Sequence, residues 1–316
     1  MNIVLFTNSG WSIPLLIALE KSGKLKAIVV PDFDHEALRY IDDFAAQKGI
    51  ALFKTNKKQL GKELLKWIGE LECTMGICLS FPYKLPTSLL RGVVLGIFNF
   101  HFGRLPDYAG GDPVFWMIRN QERTAVLSVH KMEEYLDCGE LYIQEQVSIY
   151  PGENYGLLGA RLSQMSSGLL DRLVGLVEVE FKGKAIERNP STYKRPTQEE
   201  LTIDWKNQSA DAIEALVNAS NPSYGGAITY FRNTLVRILE TSPADVRNAA
   251  LLTPGTVVHA SAKEGLFVLC SDYRFLKINI IQTPEAVVTG NKLVALGVKP
   301  NEKFGKHQLQ AAKIGF

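Results

Sequence analysis

The chain has 316 residues, 46% hydrophobic and 22% charged, with a formal net charge of +2. That composition belongs to a folded protein with room for two cores and excludes a disordered or fibrous chain. So small a net charge excludes the strongly basic balance of a dedicated nucleic-acid binder, and no apolar run approaches the roughly 18 residues of a membrane span. The Met1-Asn-Ile-Val-Leu-Phe start carries no basic leader, so a cytoplasmic location and no membrane partner are expected. Cys73, Cys78, Cys138 and Cys270 lack metal-ligand spacing. Cys73 and Cys78 fall on one expected strand facing opposite sides, so free thiols and no metal are expected.

Residues 2–6 read as a buried strand, 7–10 as a turn with capping residues, and 11–21 as a helix with Ile13, Leu16 and Leu19 inside. Strands at 26–30, 51–53 and 75–79 alternate with helices at 34–48 and 57–71. The alternation predicts an α/β fold with a doubly wound, mainly parallel sheet. Ligands of such sheets bind beyond the carboxyl ends of the strands, so the loops at 7–11 and 80–86 share one rim with the loop after the next strand. No G-x-G-x-x-G or G-x-x-x-x-G-K-[ST] occurs, so a nicotinamide or nucleoside-triphosphate enzyme has no motif support.

A strand over 94–101 places Asn99 and His101 on one face and Phe98 and Phe100 on the other. Alone, that pair reads either as a local hydrogen-bonded couple with a core histidine or as part of a catalytic unit. Leu105-Pro106 and Gly110-Gly111 then force a turning path, until Pro113 opens a helix carrying Val114, Phe115 and Trp116. Strands at 125–132 and 140–149 flank a loop whose tip carries Asp137, and Asp-x-Gly by itself is a turn. Residues 154–181 form one amphipathic helix, with Leu157, Leu158, Leu162, Leu169, Leu170, Leu173 and Leu176 as its apolar side.

Charge is uneven, with five acids against Arg39 between 31 and 47 and five bases against Glu187 between 181 and 195. Each run reads first as a solvated face. Asn189-Pro190 and Arg195-Pro196 mark a domain boundary, with domains at 1–189 and 206–316 and a linker at 190–205. Ser209 caps a helix over 209–218. Short strands at 226–231, 235–239, 255–260, 265–269 and 275–281 then suggest a small OB-like β-barrel.

Taken jointly, Asn99-x-His101, Leu105-Pro106-x-Tyr108-x-Gly110 and Leu136-Asp137-x-Gly139 resemble the signature of the 10-formyltetrahydrofolate-dependent formyltransferases. Their usual pattern is N-x-H-x-S-L-L-P-x-[WY]-x-G followed by L-D-x-G. The likeness runs through nearly the whole chain: residues 192–205, ending in Ile-Asp-Trp, resemble the linker of the longer members, and 235–304 their barrel-like appendage.

The resemblance implies a Rossmann-like catalytic domain and an OB-like C-terminal domain. Asn99, His101 and Asp137 would be the catalytic trio, and 10-formyltetrahydrofolate the co-substrate, with no metal. Phe81, Tyr83, Lys84 and Leu85 would line the pterin pocket with Leu105, Glu133, Tyr135 and Leu136. Asn8, Trp11, Tyr108, Gly111 and Trp116 would meet the acceptor, although an aromatic at the spacing of Trp116 also reads as core. Phe102-Gly103-Arg104 departs from the usual x-S-L.

By the same resemblance, length sets the chain apart from one-domain purine-pathway transformylases, and its start from formylfolate hydrolases with an extra amino-terminal domain. Initiator methionyl-tRNA formyltransferases carry a basic loop after the second strand, where this chain has the short acidic Pro31-Asp-Phe-Asp-His-Glu36. Asp112-Pro113-x-x-Trp116, Val129-His130-Lys131-Met132 and Ala227-Ile-Thr-Tyr230 resemble enzymes acting on nucleotide-linked amino sugars. The expected partner is therefore a small-molecule amine, a nucleotide-linked amino sugar. The basic 182–195 stretch keeps tRNA as the alternative, and a non-catalytic folate-binding relative is a third reading. The oligomeric state stays open.

Overall fold

The computed structural model describes residues 1–187, 192–247 and 252–305. Its first half runs β1 (Ile3–Thr7), α1 (Ile13–Lys21), β2 (Leu25–Pro31), α2 (Glu36–Lys48), β3 (Ala51–Thr55), α3 (Lys62–Glu70), β4 (Met75–Leu79), α4 (Thr87–Gly92) and β5 (Ile97–His101). The strands lie in the order β3-β2-β1-β4-β5, all parallel. β1 and β4 are buried at every residue, as strands covered on both faces must be. The carboxyl ends of β1, β4 and β5 therefore open on one rim.

Beyond β5 come α5 (Pro113–Arg119), β6 (Thr124–Lys131), β7 (Glu140–Ser148), α6 (Tyr155–Gly168), α7 (Leu170–Glu178) and β8 (Lys184–Ala185). β6, β7 and β8 extend the sheet antiparallel from β5, which makes it eight strands wide. Phe98 and Phe100 fill the face of β5 opposite Asn99 and His101. Phe98 is fully buried and meets the Tyr142 ring edge-on at 4.9 Å.

Three expected elements come out differently. The helix expected from residue 57 starts at Lys62, because the Asn56 carboxamide accepts from the Lys58 N–H at 3.0 Å and donates to Gln59 at 2.7 Å, holding a turn instead. The helix expected over 154–181 is two. Ser166 and Ser167 donate their hydroxyls back to the carbonyls of Ser163 and Gln164, and with Gly168 behind them the helix stops before α7 begins. Leu157, assigned to its apolar side, is exposed. Cys73 precedes β4 rather than lying on it, and its thiol shares one apolar cluster with Cys78. Burial pushes the two thiols up to about 11 and about 12, so both stay protonated.

The chain divides into two compact units. One comprises Met1–Val114, Thr124–Ser148 and Leu158–Lys194; the other comprises Phe115–Arg123, Ile149–Leu157 and the chain from Arg195 onward. The boundary expected at 189–190 and Arg188 of the basic stretch lie outside the described residues. In the second unit Leu201, Ile203 and Trp205 are buried, and the Trp205 indole donates to Thr229 Oγ1 at 2.9 Å.

That unit continues with α8 (Ala210–Ser220), whose Ser209 cap accepts from the Ala212 N–H. There follow β9 (Ala227–Phe231), β10 (Thr234–Arg247), β11 (Val257–Ser261), β12 (Gly265–Leu269), β13 (Arg274–Gln282), β14 (Val287–Thr289), α9 (Gly290–Ala295) and β15 (Phe304–Gly305). The sheet order is β11-β12-β13-β10-β9-β15, with β14 on β13. A Thr256–Lys303 bridge ties its first strand to its last, curling it into the expected barrel-like form. β10 is much longer than the expected 235–239, because bulges at Ile238/Glu240, Glu240/Thr241 and Ala244/Arg247 carry the strand past Pro243. No helix among the described residues is long and apolar enough to cross a membrane.

Replacing Phe98 by Ala empties the centre of the first sheet. Chemical denaturation should show a loss of about 3–5 kcal/mol.

Candidate active site

The pleat of β5 turns Asn99 and His101 to one face. Asn99 pairs across to Cys78 of β4 on one side and to His130 of β6 on the other, while His101 pairs with Ser128. Residues opposite one another in a ladder share a face, so His130 joins Asn99 and His101. Both histidines are buried, at 6% and 1% exposure.

Asp137 arrives from the β6–β7 connection. It is 4% exposed, and its backbone takes a left-handed φ of 53°. Its Oδ2 accepts the Gly110 N–H at 2.8 Å. Its Oδ1 lies 3.4 Å from His130 Nε2 and 3.9 Å from His101 Nδ1. Burial alone would raise the carboxyl pKa, but the His101 charge, the His130 hydrogen bond and charge, and the Gly110 N–H together lower it to about 2.

The partners of each imidazole restrict where protons sit. His101 Nε2 is 2.8 Å from the Tyr108 carbonyl oxygen, so that nitrogen carries hydrogen and donates, leaving Nδ1 toward Asp137. His130 Nδ1 lies 3.1 Å from the Lys131 carbonyl oxygen and likewise donates. Its Nε2 then faces two partners, Asn99 Nδ2 at 3.3 Å and the Asp137 carboxylate. Neutral His130 can accept from the Asn99 amide; protonated His130 can donate to Asp137. One proton thus decides whether His130 orients the amide or the carboxylate.

Two glycines make the approach possible. A Cβ at Gly139 would lie 1.7 Å from the Lys131 carbonyl oxygen, so only glycine lets the Asp137 loop close against β6. A Cβ at Gly103 would lie 2.9 Å from His101 Nε2 and 2.6 Å from Pro113 Cβ, so here the departure from the usual serine leaves the imidazole uncrowded. Ser128 Oγ and the Gln144 carboxamide pin the same loop through the carbonyls of Gly103 and Leu105.

The other expected site residues spread more widely. Phe81 packs edge-on against Phe6 and Tyr83, and these rings join Leu85 and Met132 in one apolar cluster. Leu105 is buried, whereas Lys84, Glu133, Tyr135 and Leu136 are exposed. Asn8 and Trp11 are half-buried beyond β1, the Trp11 ring lying 5.6 Å from Phe102. Tyr108 is buried, and the half-buried Gly111 donates its N–H to the Tyr193 carbonyl at 2.8 Å. Trp116, half-buried and edge-on to Phe115 at 5.0 Å, groups with the second unit.

His130 is the site member that sequence reasoning left out. It stood in the Val-His-Lys-Met resemblance, but only the β5–β6 register reveals it as the neighbour of Asn99. Among the described residues no group of three or more His, Cys, Asp or Glu could hold a metal.

An amide and two imidazoles thus surround one ionised carboxylate at the rim of a Rossmann-like sheet. The family follows from comparison. A model of the Formyl transferase family matches residues 16–174, and one of the Formyl transferase C-terminal domain matches residues 195–294. The chain belongs to the formyl transferase family, and it is a formyltransferase.

A methionyl-tRNA formyltransferase of Dictyoglomus turgidum is 28% identical over 230 residues, covering 72% of this chain and 73% of the relative. HypX from Aquifex aeolicus shares the fold with a TM-score of 0.66 at 13% identity over 95% of this chain; the chain spans only 49% of HypX. An N-formyltransferase from Helicobacter canadensis, solved with folinic acid and dTDP-3-aminofucose, shares it with a TM-score of 0.64 at 14% identity, over 88% of this chain and 98% of that one.

With its carboxyl lowered in the folded state, Asp137 stabilises the fold above its ordinary value of 3.8 and stops doing so as pH falls through about 2. The unfolding free-energy gap between wild type and Asp137→Asn should narrow by about 1 kcal/mol from pH 5 to pH 3, read by urea titration.

Proposed function

We propose that the chain transfers the formyl group of 10-formyltetrahydrofolate to the primary amine of a nucleotide-linked amino sugar, as a cytoplasmic enzyme. Residues 1–189 form its catalytic domain, 190–205 a linker and 206–316 an OB-like appendage. The observation that carries this reading is the convergence of Asn99, His101 and His130 with one carboxylate, Asp137.

Attack of an amine on the formyl carbon creates a tetrahedral centre with a negative oxygen, so a donor is needed at that oxygen and a base at the nitrogen. Asn99 supplies the donor, its amide oriented by His130. The amine must lose a proton and the departing folate nitrogen must gain one. His101, with Asp137 beside Nδ1, carries that proton, and Asp137 stabilises the imidazolium in between.

The pterin of the donor fits the apolar ground between the Phe81–Leu85 loop and the 133–137 connection. Tyr135 and Leu136 stand exposed at 57% and 56% directly before buried Asp137, an apolar surface facing solvent beside the catalytic carboxylate. Main-chain groups of 133–137 would serve the pterin edge, with Leu105 nearby and Lys84 and Glu133 at the exposed margin.

For the acceptor, the loop after β2 argues against a polyanion. Arg39 is engaged by Asp34, with Nε 2.8 Å from Oδ1, and Lys54 by Asp42, leaving Asp32 and Glu36 as the loop's remaining charges. The folate-bound and sugar-nucleotide-bound N-formyltransferase of H. canadensis supports the same choice. A second reading, formylation of initiator methionyl-tRNA, is favoured by the D. turgidum relative.

One assay separates these. 10-Formyltetrahydrofolate is offered with dTDP-linked amino sugars or with charged initiator tRNA; product on the sugars is expected, product on the tRNA alone would overturn the acceptor, and donor binding without turnover would indicate a folate-binding relative. In the productive assay, His101→Ala and Asp137→Asn should each lower kcat by about 10²–10⁴-fold and Asn99→Ala by about 10²–10³-fold, with circular dichroism unchanged. Near-normal turnover in the purified His101 and Asp137 variants would sink the trio.

A further inference from the structure

We propose that Tyr193, from the segment expected only to link two domains, is a positioning residue for the catalytic cluster. The proposal rests on the reading that His101 and Asp137 carry formyl transfer. Both are held by the same stretch of backbone: His101 Nε2–H donates to the Tyr108 carbonyl, and the Gly110 N–H donates to Asp137, each at 2.8 Å. The 108 carbonyl and the 110 N–H thus face the site, while the 109 carbonyl and the 111 N–H turn to a different neighbour.

Tyr193 meets them there. Its N–H donates to the Ala109 carbonyl at 2.9 Å, and its carbonyl accepts the Gly111 N–H at 2.8 Å, forming a parallel bridge with Gly110. Its ring stacks on Tyr108 at 5.2 Å and 11° between planes. Gly110 has a φ of 110°, and a Cβ there would lie 2.2 Å from the Tyr193 carbonyl oxygen, so the strap seats against bare backbone. Tyr193 is half-buried, between the exposed Thr192 and Lys194.

The strap thereby fixes the outer edge of a loop whose inner edge sets the His101 tautomer and the Asp137 carboxylate. Catalytic groups displaced by about 1 Å lose on the order of 100-fold in rate without losing substrate. Tyr193 therefore acts on kcat through the loop and touches no reacting atom.

The test uses the full chain with 10-formyltetrahydrofolate and either dTDP-linked amino sugars or charged initiator tRNA, whichever the wild type formylates. Tyr193→Ala should lower kcat by at least about 10-fold while the donor KM stays within about 3-fold, and Tyr193→Phe, which keeps the stack, should restore kcat to within about 2-fold of wild type. Should the alanine variant not fold, Tyr193→Leu keeps apolar bulk without the flat stack, and the same loss of kcat is expected. Unchanged kcat in the alanine or leucine variant, a loss confined to KM, or a phenylalanine variant as slow as alanine would each overturn the strap alone. A wild type inactive on both acceptors would overturn the catalytic reading beneath it, and the strap with it.

Discussion

A carboxylate can stay ionised out of water only where donors and positive charge surround it, and Asp137 meets that condition from separate parts of the first unit. His101 reaches it from β5, His130 from β6, and Gly110 from the loop between β5 and α5. Each contact holds the others in place. The imidazoles are oriented by carbonyls on their far sides, so the carboxylate sits among groups that cannot swing away to other partners. The β6–β7 connection, the loop after β5 and the carboxyl end of β5 thus meet at one buried charge.

Much of the framework was readable from hydrophobic pattern. Continuous apolar runs marked β1 and β4, and period two put Asn99 and His101 side by side. What escaped was set by non-local or side-chain-driven effects. His130 enters the site through strand register, which a single strand's pattern does not encode. The break between α6 and α7 comes from serine hydroxyls bonding back to their own helix. The run of β10 through Pro243 depends on bulges that a breaker count reads as the end of a strand. Tyr193 sat in a stretch rich in charge and proline, where composition says linker, while its two backbone bonds to 109 and 111 arise only once the loop after β5 has taken its path. Residue types drew attention to Asn99, His101 and Asp137; their spatial company came from topology.

The loop after β5 depends on its own contacts in the same way. Tyr108 and Gly111, which the resemblance assigns to the acceptor, also hold their own loop, one by a buried stacked ring and the other by its N–H. Such loops need their own internal contacts before they can present anything outward.

The left-handed backbone of Asp137 carries a cost for any residue with a side chain. At a φ of 53° the Cβ crowds the following carbonyl oxygen at a cost of roughly 1–2 kcal/mol, yet Glu72 and Glu180 hold φ values of 52° and 53° in the same chain, so the backbone leaves both acids open. A negative charge beside the two imidazoles is something glutamate could also supply. Reach separates the two acids instead: one more methylene would carry the carboxylate away from the Gly110 N–H and the imidazoles that surround it, so a change from aspartate to glutamate that looks mild on a substitution table takes the charge off its donors.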